Sequence, residues 1–370
     1  MGKRHVGTTP LAACAAGAIA FLAAATAVAE PMDPAIERLV LDPSCRNAAG
    51  EFTPNPGLAS GPGGRPWCSP DNAAFKRLIN QYAFALAPTA MHSARTTGFG
   101  GFHLSIEAAY TDIDDGADYW EHGTQGTRDQ SSNKFSVRNT GPVSVLQLYS
   151  AKIRKSFGFG LELTGVVGFM PKTSIVSGGA DVRLSLLEGF REGIPGILPD
   201  IAVGGGVRTI TGTPQFQLTV VGLDAQISKP LPIADSSIIT PWIGYQYLWI
   251  FGDAGLVDLT PGTDPIGYCN YGGQDVPGLG GPTNDGQPIC VNNPNGSLDF
   301  NNNVVFEKAR LERQRLLFGV SYRYEMVMIG AQFITDIVDP EDAQNSDEDK
   351  EDLKGEDRQW TIVLELGAMF

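Results

Sequence analysis

From Gly98 to the final residue the sequence obeys a two-residue period, and no other feature constrains the fold as much. In Phe102–Tyr110 one face carries Phe102, Leu104, Ile106, Ala108 and Tyr110, and the other carries His103, Ser105, Glu107 and Ala109. The last segment repeats the pattern: Trp360, Ile362, Leu364, Leu366, Ala368 and Phe370 alternate with Thr361, Val363, Glu365, Gly367 and Met369. Successive side chains of a strand point to opposite faces, so this pattern is that of strands with one apolar and one polar side. Eight further runs of this kind lie near 143–156, 160–170, 179–187, 200–211, 215–228, 238–250, 305–323 and 326–337, giving about ten. Outside the N-terminus no run of apolar residues is long enough for a membrane-spanning helix.

The connections alternate in length. Long segments (113–141, 251–304 and 338–357) all follow odd-numbered strands, whereas links such as Phe157-Gly158-Phe159 and Tyr324-Glu325 follow even-numbered ones. Membrane-spanning β-barrels show this asymmetry, with long external loops, short periplasmic turns and strands that alternate apolar-out and polar-in. A soluble β-sandwich would alternate too, but its loops would not segregate to one end. Tyr110, Tyr149, Phe169, Trp249, Phe251, Tyr322, Tyr324, Trp360 and Phe370 fall near strand ends, where interfacial girdles belong. An even number of strands places both chain termini on the periplasmic side. The expected fold is therefore all-β: a transmembrane antiparallel β-barrel of about ten strands over 98–370.

Two segments precede it. Residues 1–29 read as a secretory signal peptide, with Lys3, Arg4 and His5 before an Ala-rich apolar core and Ala27-Val28-Ala29 as the cleavage site. Residues 30–97 are irregular and rich in Pro and Gly, except for one amphipathic helix over 71–87. Asp71 is its expected N-cap, Phe75, Leu78, Ile79 and Tyr82 form its apolar stripe, and Pro88 stops it. That helix is placed to plug the lumen or to lie beneath it. Cys45, Cys68, Cys269 and Cys290 are an even set in an exported chain and are read as disulfide partners, with three connectivities open. The net charge of −14 excludes a nucleic-acid partner, which needs a basic footprint.

With the apolar set facing outward, the lumen is expected to be lined by His103, Glu107, Lys152, Arg154, Glu162, Asp181, Arg183, Arg208, Arg313, Arg315, Asp336 and Glu365. Their mixed signs suit paired charges across a narrow interior. Open aqueous channels appear at about 16–18 strands, so ten leave little free bore. The acidic residues of 112–118 and 339–357 are expected outside, where divalent cations and lipopolysaccharide are available partners. No cofactor, metal site or catalytic site is expected.

The C-terminal strand resembles the assembly signal of Gram-negative outer-membrane barrels, carried by Trp360, Ile362, Leu364, Leu366 and Phe370. That resemblance is to a class and not to one family. It implies residence in the cell outer membrane, contact with its lipid, and insertion by the barrel-assembly machinery. The expected function is selective passage of small solutes through a narrow or plugged barrel, or a surface structural role. One alternative is uptake of hydrophobic solutes, resembling long-chain fatty-acid channels, which also carry an N-terminal hatch but have fourteen strands. Another is a surface hydrolase. His103-Leu104-Ser105 looks like the His-x-Ser spacing of outer-membrane lipid hydrolases, with Glu107 on the same face, and Asp112, Asp114, Asp115 and His122 resemble the acidic and His set of omptin proteases. The lipid-hydrolase set is expected on the lumen face, away from lipid.

Overall fold

The computed structural model describes residues 30–41, 70–127, 138–188, 198–234, 236–258, 269–271, 288–290 and 303–370. Ten strands close on themselves, each antiparallel to its neighbours: β1 (Phe102–Asp112), β2 (Val145–Ser156), β3 (Leu161–Phe169), β4 (Val176–Leu187), β5 (Asp200–Thr211), β6 (Phe216–Ser228), β7 (Ser237–Ala254), β8 (Ala309–Tyr324), β9 (Val327–Asp336) and β10 (Trp360–Met369). The order is sequential throughout. β10 pairs with β1, Glu107 standing opposite Glu365, so no edge is left for unwanted pairing. Phe370 completes the seam, exchanging backbone hydrogen bonds of 3.0 and 2.8 Å with Phe102.

Alternation decides which way the wall faces. β1 runs exposed–buried–exposed along Phe102–Asp112, and each of the ten strands places apolar side chains outside, among them Ile106, Ile153, Leu163, Val182, Val203, Leu223, Ile243, Phe318, Ile329 and Leu364. Soluble monomers seldom expose apolar patches beyond a few hundred Å². A belt that runs round the whole molecule needs hydrocarbon against it. At the end bearing the long connections (the loop end), Tyr110, Tyr149 and Phe169 form a chain of ring contacts at 6.4 and 5.7 Å, and Tyr247 packs on Trp249 at 4.8 Å. At the opposite, turn end, Phe157, Phe159, Tyr322, Tyr324 and Phe370 are exposed. These are two girdles at the two ends of the belt.

The expected helix is present as α1 (Asn72–Leu86), and the Asp71 carboxylate accepts from the Ala74 N–H at 2.9 Å as its N-cap. It lies inside the bore. From Phe75 to Leu86 nearly every residue is buried, polar ones included, because wall surrounds the helix on all sides. Its apolar stripe builds a core in the loop-end half of the lumen: Phe75 packs on Phe306 and Phe216, and Tyr82 on Trp120, beside Leu146, Leu218, Ile250 and Leu311. Each such large side chain contributes about 1.5–3 kcal/mol by leaving water.

Two expectations on placement are corrected. Residues 30–41 sit at the loop end, not at the turn end where Phe370 lies: Met32 N–H donates to Lys172 O at 2.9 Å and Ala35 N–H to Gly123 O at 2.8 Å. Strand parity fixes where β1 starts and β10 stops, but says nothing about a segment that first descends the bore. Several strand limits also shift: β4 starts at Val176, three residues early, and β8 starts at Ala309, four residues late, beyond a separate short pairing of Asn303–Val304 with Val257–Asp258. The signal-peptide residues, Cys45 and Cys68 lie outside the described residues. Cys269 and Cys290 face each other in the register of a short two-stranded pair, their side chains outside the description.

If the belt meets hydrocarbon, Leu364→Arg, midway along β10, lowers the stability of the barrel folded in lipid vesicles by about 2–4 kcal/mol, read as a shift in the urea unfolding midpoint.

Candidate functional site: the filled lumen

After Leu86 the chain does not leave the barrel. Residues 87–97 descend the lumen as an irregular strap, and the wall satisfies its backbone in sequence order. Arg315 donates to Phe84 O (3.2 Å) and Pro88 O (2.8 Å), and Gln246 to Pro88 O (3.1 Å). Gln332 donates to Thr89 O (2.6 Å), Gln226 to Ala90 O (2.9 Å), Arg154 to Met91 O (3.3 Å) and Arg183 to Ser93 O (3.4 Å). Below these, Ala94 N–H donates to Ser228 Oγ (3.1 Å), Thr96 N–H to Glu188 (2.9 Å) and Thr97 N–H to Ser156 Oγ (3.1 Å). Irregular backbone at membrane depth is tolerated only where protein satisfies it, and here the wall does.

The charges of the wall are paired as well. Lys152 bonds the Glu107 carboxylate, and Thr89 of the strap ties both together, 2.9 Å from Lys152 and 3.0 Å from Glu107. Arg183 meets Asp224 at 3.0 Å, Arg208 meets Asp181 at 2.6 Å, and Arg154 lies 3.5 Å from Glu162 and 3.9 Å from Glu365. Arg313 bonds Asp336, and with Arg315 it stacks over the Phe84 ring, at 4.5 and 4.9 Å. All twelve residues expected to line the lumen are buried except Asp181, which is partly so. Glycines let the plug approach the wall: a Cβ at Gly252 would stand 2.7 Å from Ile79, and one at Gly330 2.7 Å from Met91.

At the loop end the acidic segment 339–357 acts as a clamp. Its short helix α3 (Asp347–Asp352) sets Asp349 and Asp352 at 2.9 and 2.7 Å from Lys76 Nζ, on a side chain only 3 % exposed. Arg77 donates to Asp352 O at 2.6 Å. Glu356 accepts from Gln81 (3.0 Å) and from Tyr119 (2.8 Å), which lies on the loop helix α2 (Asp118–Gly123). Burial, and then Glu356, push the Tyr119 phenol up, so it remains a proton donor. Lys76, Gln81, Thr89 and the inward glutamines were not legible as a set: each marks a partner that only the threaded chain supplies.

His103 and Ser105 of the lipid-hydrolase set are not hydrogen-bonded to each other. His103 and Ser105 are buried on the lumen side behind Phe102, Leu104 and Ile106, and neither ring nitrogen of His103 has a hydrogen-bond partner among the described residues. Asp112 and Asp114–Asp115 stand at the top of β1 and just beyond it, and His122 lies in α2. Among the described residues no three His, Cys, Asp or Glu side chains gather as a metal site. A cavity of about 60 Å³ remains at the turn end, beside Arg154, Arg323, Thr240 and Ser321. It has room for roughly four waters.

Closure, an apolar belt between aromatic girdles and a polar lumen decide the class. The chain is an outer-membrane-type β-barrel. No family model and no curated protein matches the sequence. Among solved structures it is similar to Ail, the attachment invasion locus protein of Yersinia pestis, in complex with a heparin analogue (10 % identity, 74 % of this chain and 100 % of that one, TM-score 0.24). It is also similar to the outer-membrane protein Omp33 of Acinetobacter baumannii (9 % identity, 73 % and 98 % covered, TM-score 0.24). OprD of Pseudomonas aeruginosa aligns with a TM-score of 0.14 at 8 % identity, over 76 % of this chain and 99 % of that one. Superpositions this loose carry nothing about activity; the class rests on the wall itself.

Removing one partner of the central pair tests the network. Lys152→Met leaves Glu107 buried without its cation and costs about 3–5 kcal/mol, whereas Lys152→Met with Glu107→Leu costs less than either single change, as a double-mutant cycle of unfolding midpoints will read. Gly330→Phe drives a ring into Met91 and loosens the strap, seen as new protease cuts between Thr89 and Thr97.

Proposed function

We propose that the protein is a sealed barrel with a surface structural role, a rigid mount for the cap at its loop end, rather than a channel for solutes. One observation carries this reading: residues 71–97 occupy the bore from the loop end to the turn end, and Arg and Gln side chains of the wall donate to that segment's carbonyls. Passage would require withdrawing a strap whose backbone is bonded at nearly every step, with the loss of all those hydrogen bonds at once. The ten-strand wall also falls short of the fourteen strands of the fatty-acid channels that the N-terminal hatch resembles. Catalysis is no part of the proposal, since the His103 and Ser105 pair is sealed away from lipid and solvent.

Planar bilayers test it. The intact protein is expected to give no discrete conductance steps, and a variant lacking residues 72–97 is expected to give them, scored on samples that keep the heat-modifiable gel shift of a folded barrel. Stable steps from the intact protein, unchanged by that deletion, overturn the proposal.

A further inference from the structure

We infer that the segment preceding α1 is displayed on the outer face of the membrane, and that residues 71–97 form an eleventh crossing of the bilayer, inside the barrel. The inference deepens the surface role proposed above and rests on it. The order of contacts down the bore gives the direction of travel. Asn72 and Lys76 meet Glu307, Asp349 and Asp352 at the loop end; Thr89 meets Glu107 at mid-height; Thr96 and Thr97 meet Glu188, Ser156 and Glu162 at the turn end. The chain then turns at Gly98–Gly101 and climbs as β1. Long connections of such barrels face outward and short turns face the periplasm, which makes the loop end external.

Residues 30–40 are built into that external end. Gln125 N–H donates to Asp33 O (2.9 Å), Gly126 N–H to Pro31 O (2.8 Å), Asn139 Nδ2 to Pro31 O (3.2 Å), and Ser174 Oγ to the Asp33 carboxylate (2.8 Å). From the helix below, Tyr82 donates to Met32 O at 2.6 Å. Met32, Ala35 and Ile36 are at most 1 % exposed, so this is a seat made jointly by the segment and the loop residues 113–127, 138–144 and 170–175. Val40 pairs with Pro70 as the chain returns to the helix, and Leu41 stands 62 % exposed. The apolar belt gives a polar strap no path across lipid, so the interior is its only route, and the barrel holds its own exported segment. Sequence placed ahead of residue 30 is thereby presented to the exterior, on a mount anchored by the Lys76 clamp.

The test uses short epitope tags in the full chain, produced in a Gram-negative host, with antibody labelling of intact and of permeabilised cells. Tags go after Leu41, ahead of Glu30, within 339–357 as an external reference, and at Glu325–Met326 as a periplasmic reference. Only variants that keep the heat-modifiable shift are scored, and the two N-terminal positions back each other up. The expected result is labelling of both N-terminal tags and the 339–357 tag on intact cells, with loss of the Glu325 signal until the membrane is permeabilised. N-terminal tags that label only after permeabilisation, while the 339–357 tag labels before, overturn the inference. So does labelling of Glu325 on intact cells with the other tags hidden. Either result leaves the sealed-bore proposal to the conductance test, so the two fail separately.

Discussion

The structure depends on one exchange: irregular backbone inside the barrel is satisfied by side chains of the wall. A strap of eleven residues without helix or strand carries carbonyl and amide groups that hydrocarbon depth leaves without water. Arg315, Gln246, Gln332, Gln226, Arg154 and Arg183 serve its carbonyls, and Ser228, Glu188 and Ser156 its amides. The dependence runs both ways. Without the strap those wall groups would lose the carbonyls and amides they serve, and the bore would stand open to water.

A division of labour follows along the bore. Toward the loop end the helix presents Phe75, Leu78, Ile79 and Tyr82 to apolar wall, and burial of surface supplies the stability. Further down, the strap is irregular and mixed in composition, and hydrogen bonds to its backbone join burial. The clamp of Asp349 and Asp352 on Lys76 fixes the top of the plug, and Glu356 ties the helix to the loop after β1 through Gln81 and Tyr119. Plug, loops and N-terminal segment thus form one packed cap, which a surface structural role requires and a moving gate would not tolerate.

Much of this was legible in the sequence because the two-residue period reports directly on a wall with different solvents on its two faces. Alternation located all ten strands, and the Asp71 cap with the Phe75–Tyr82 stripe located the helix to within a residue at either end. The strap left no such trace, since a carbonyl acceptor has no side-chain signature and Thr89, Ala90 and Ser93 read as ordinary loop. Gln226, Gln246 and Gln332 did not stand out either, because an uncharged donor at an inward position carries no mark of the carbonyl it serves until the chain is threaded. The acidic run 339–357 gave no sign of its counter-charge for a related reason: Lys76 lies more than 260 residues away in sequence and is brought beneath it only by threading.

Hydrogen exchange of the intact protein in lipid nanodiscs, read residue by residue, tests the filled bore most directly. The amides of Ala94, Thr96 and Thr97 are predicted to exchange as slowly as those of β1, because each is bonded to the wall and water is excluded above them. Exchange of these amides at the rate of an open loop, with β1 still protected, would contradict the account.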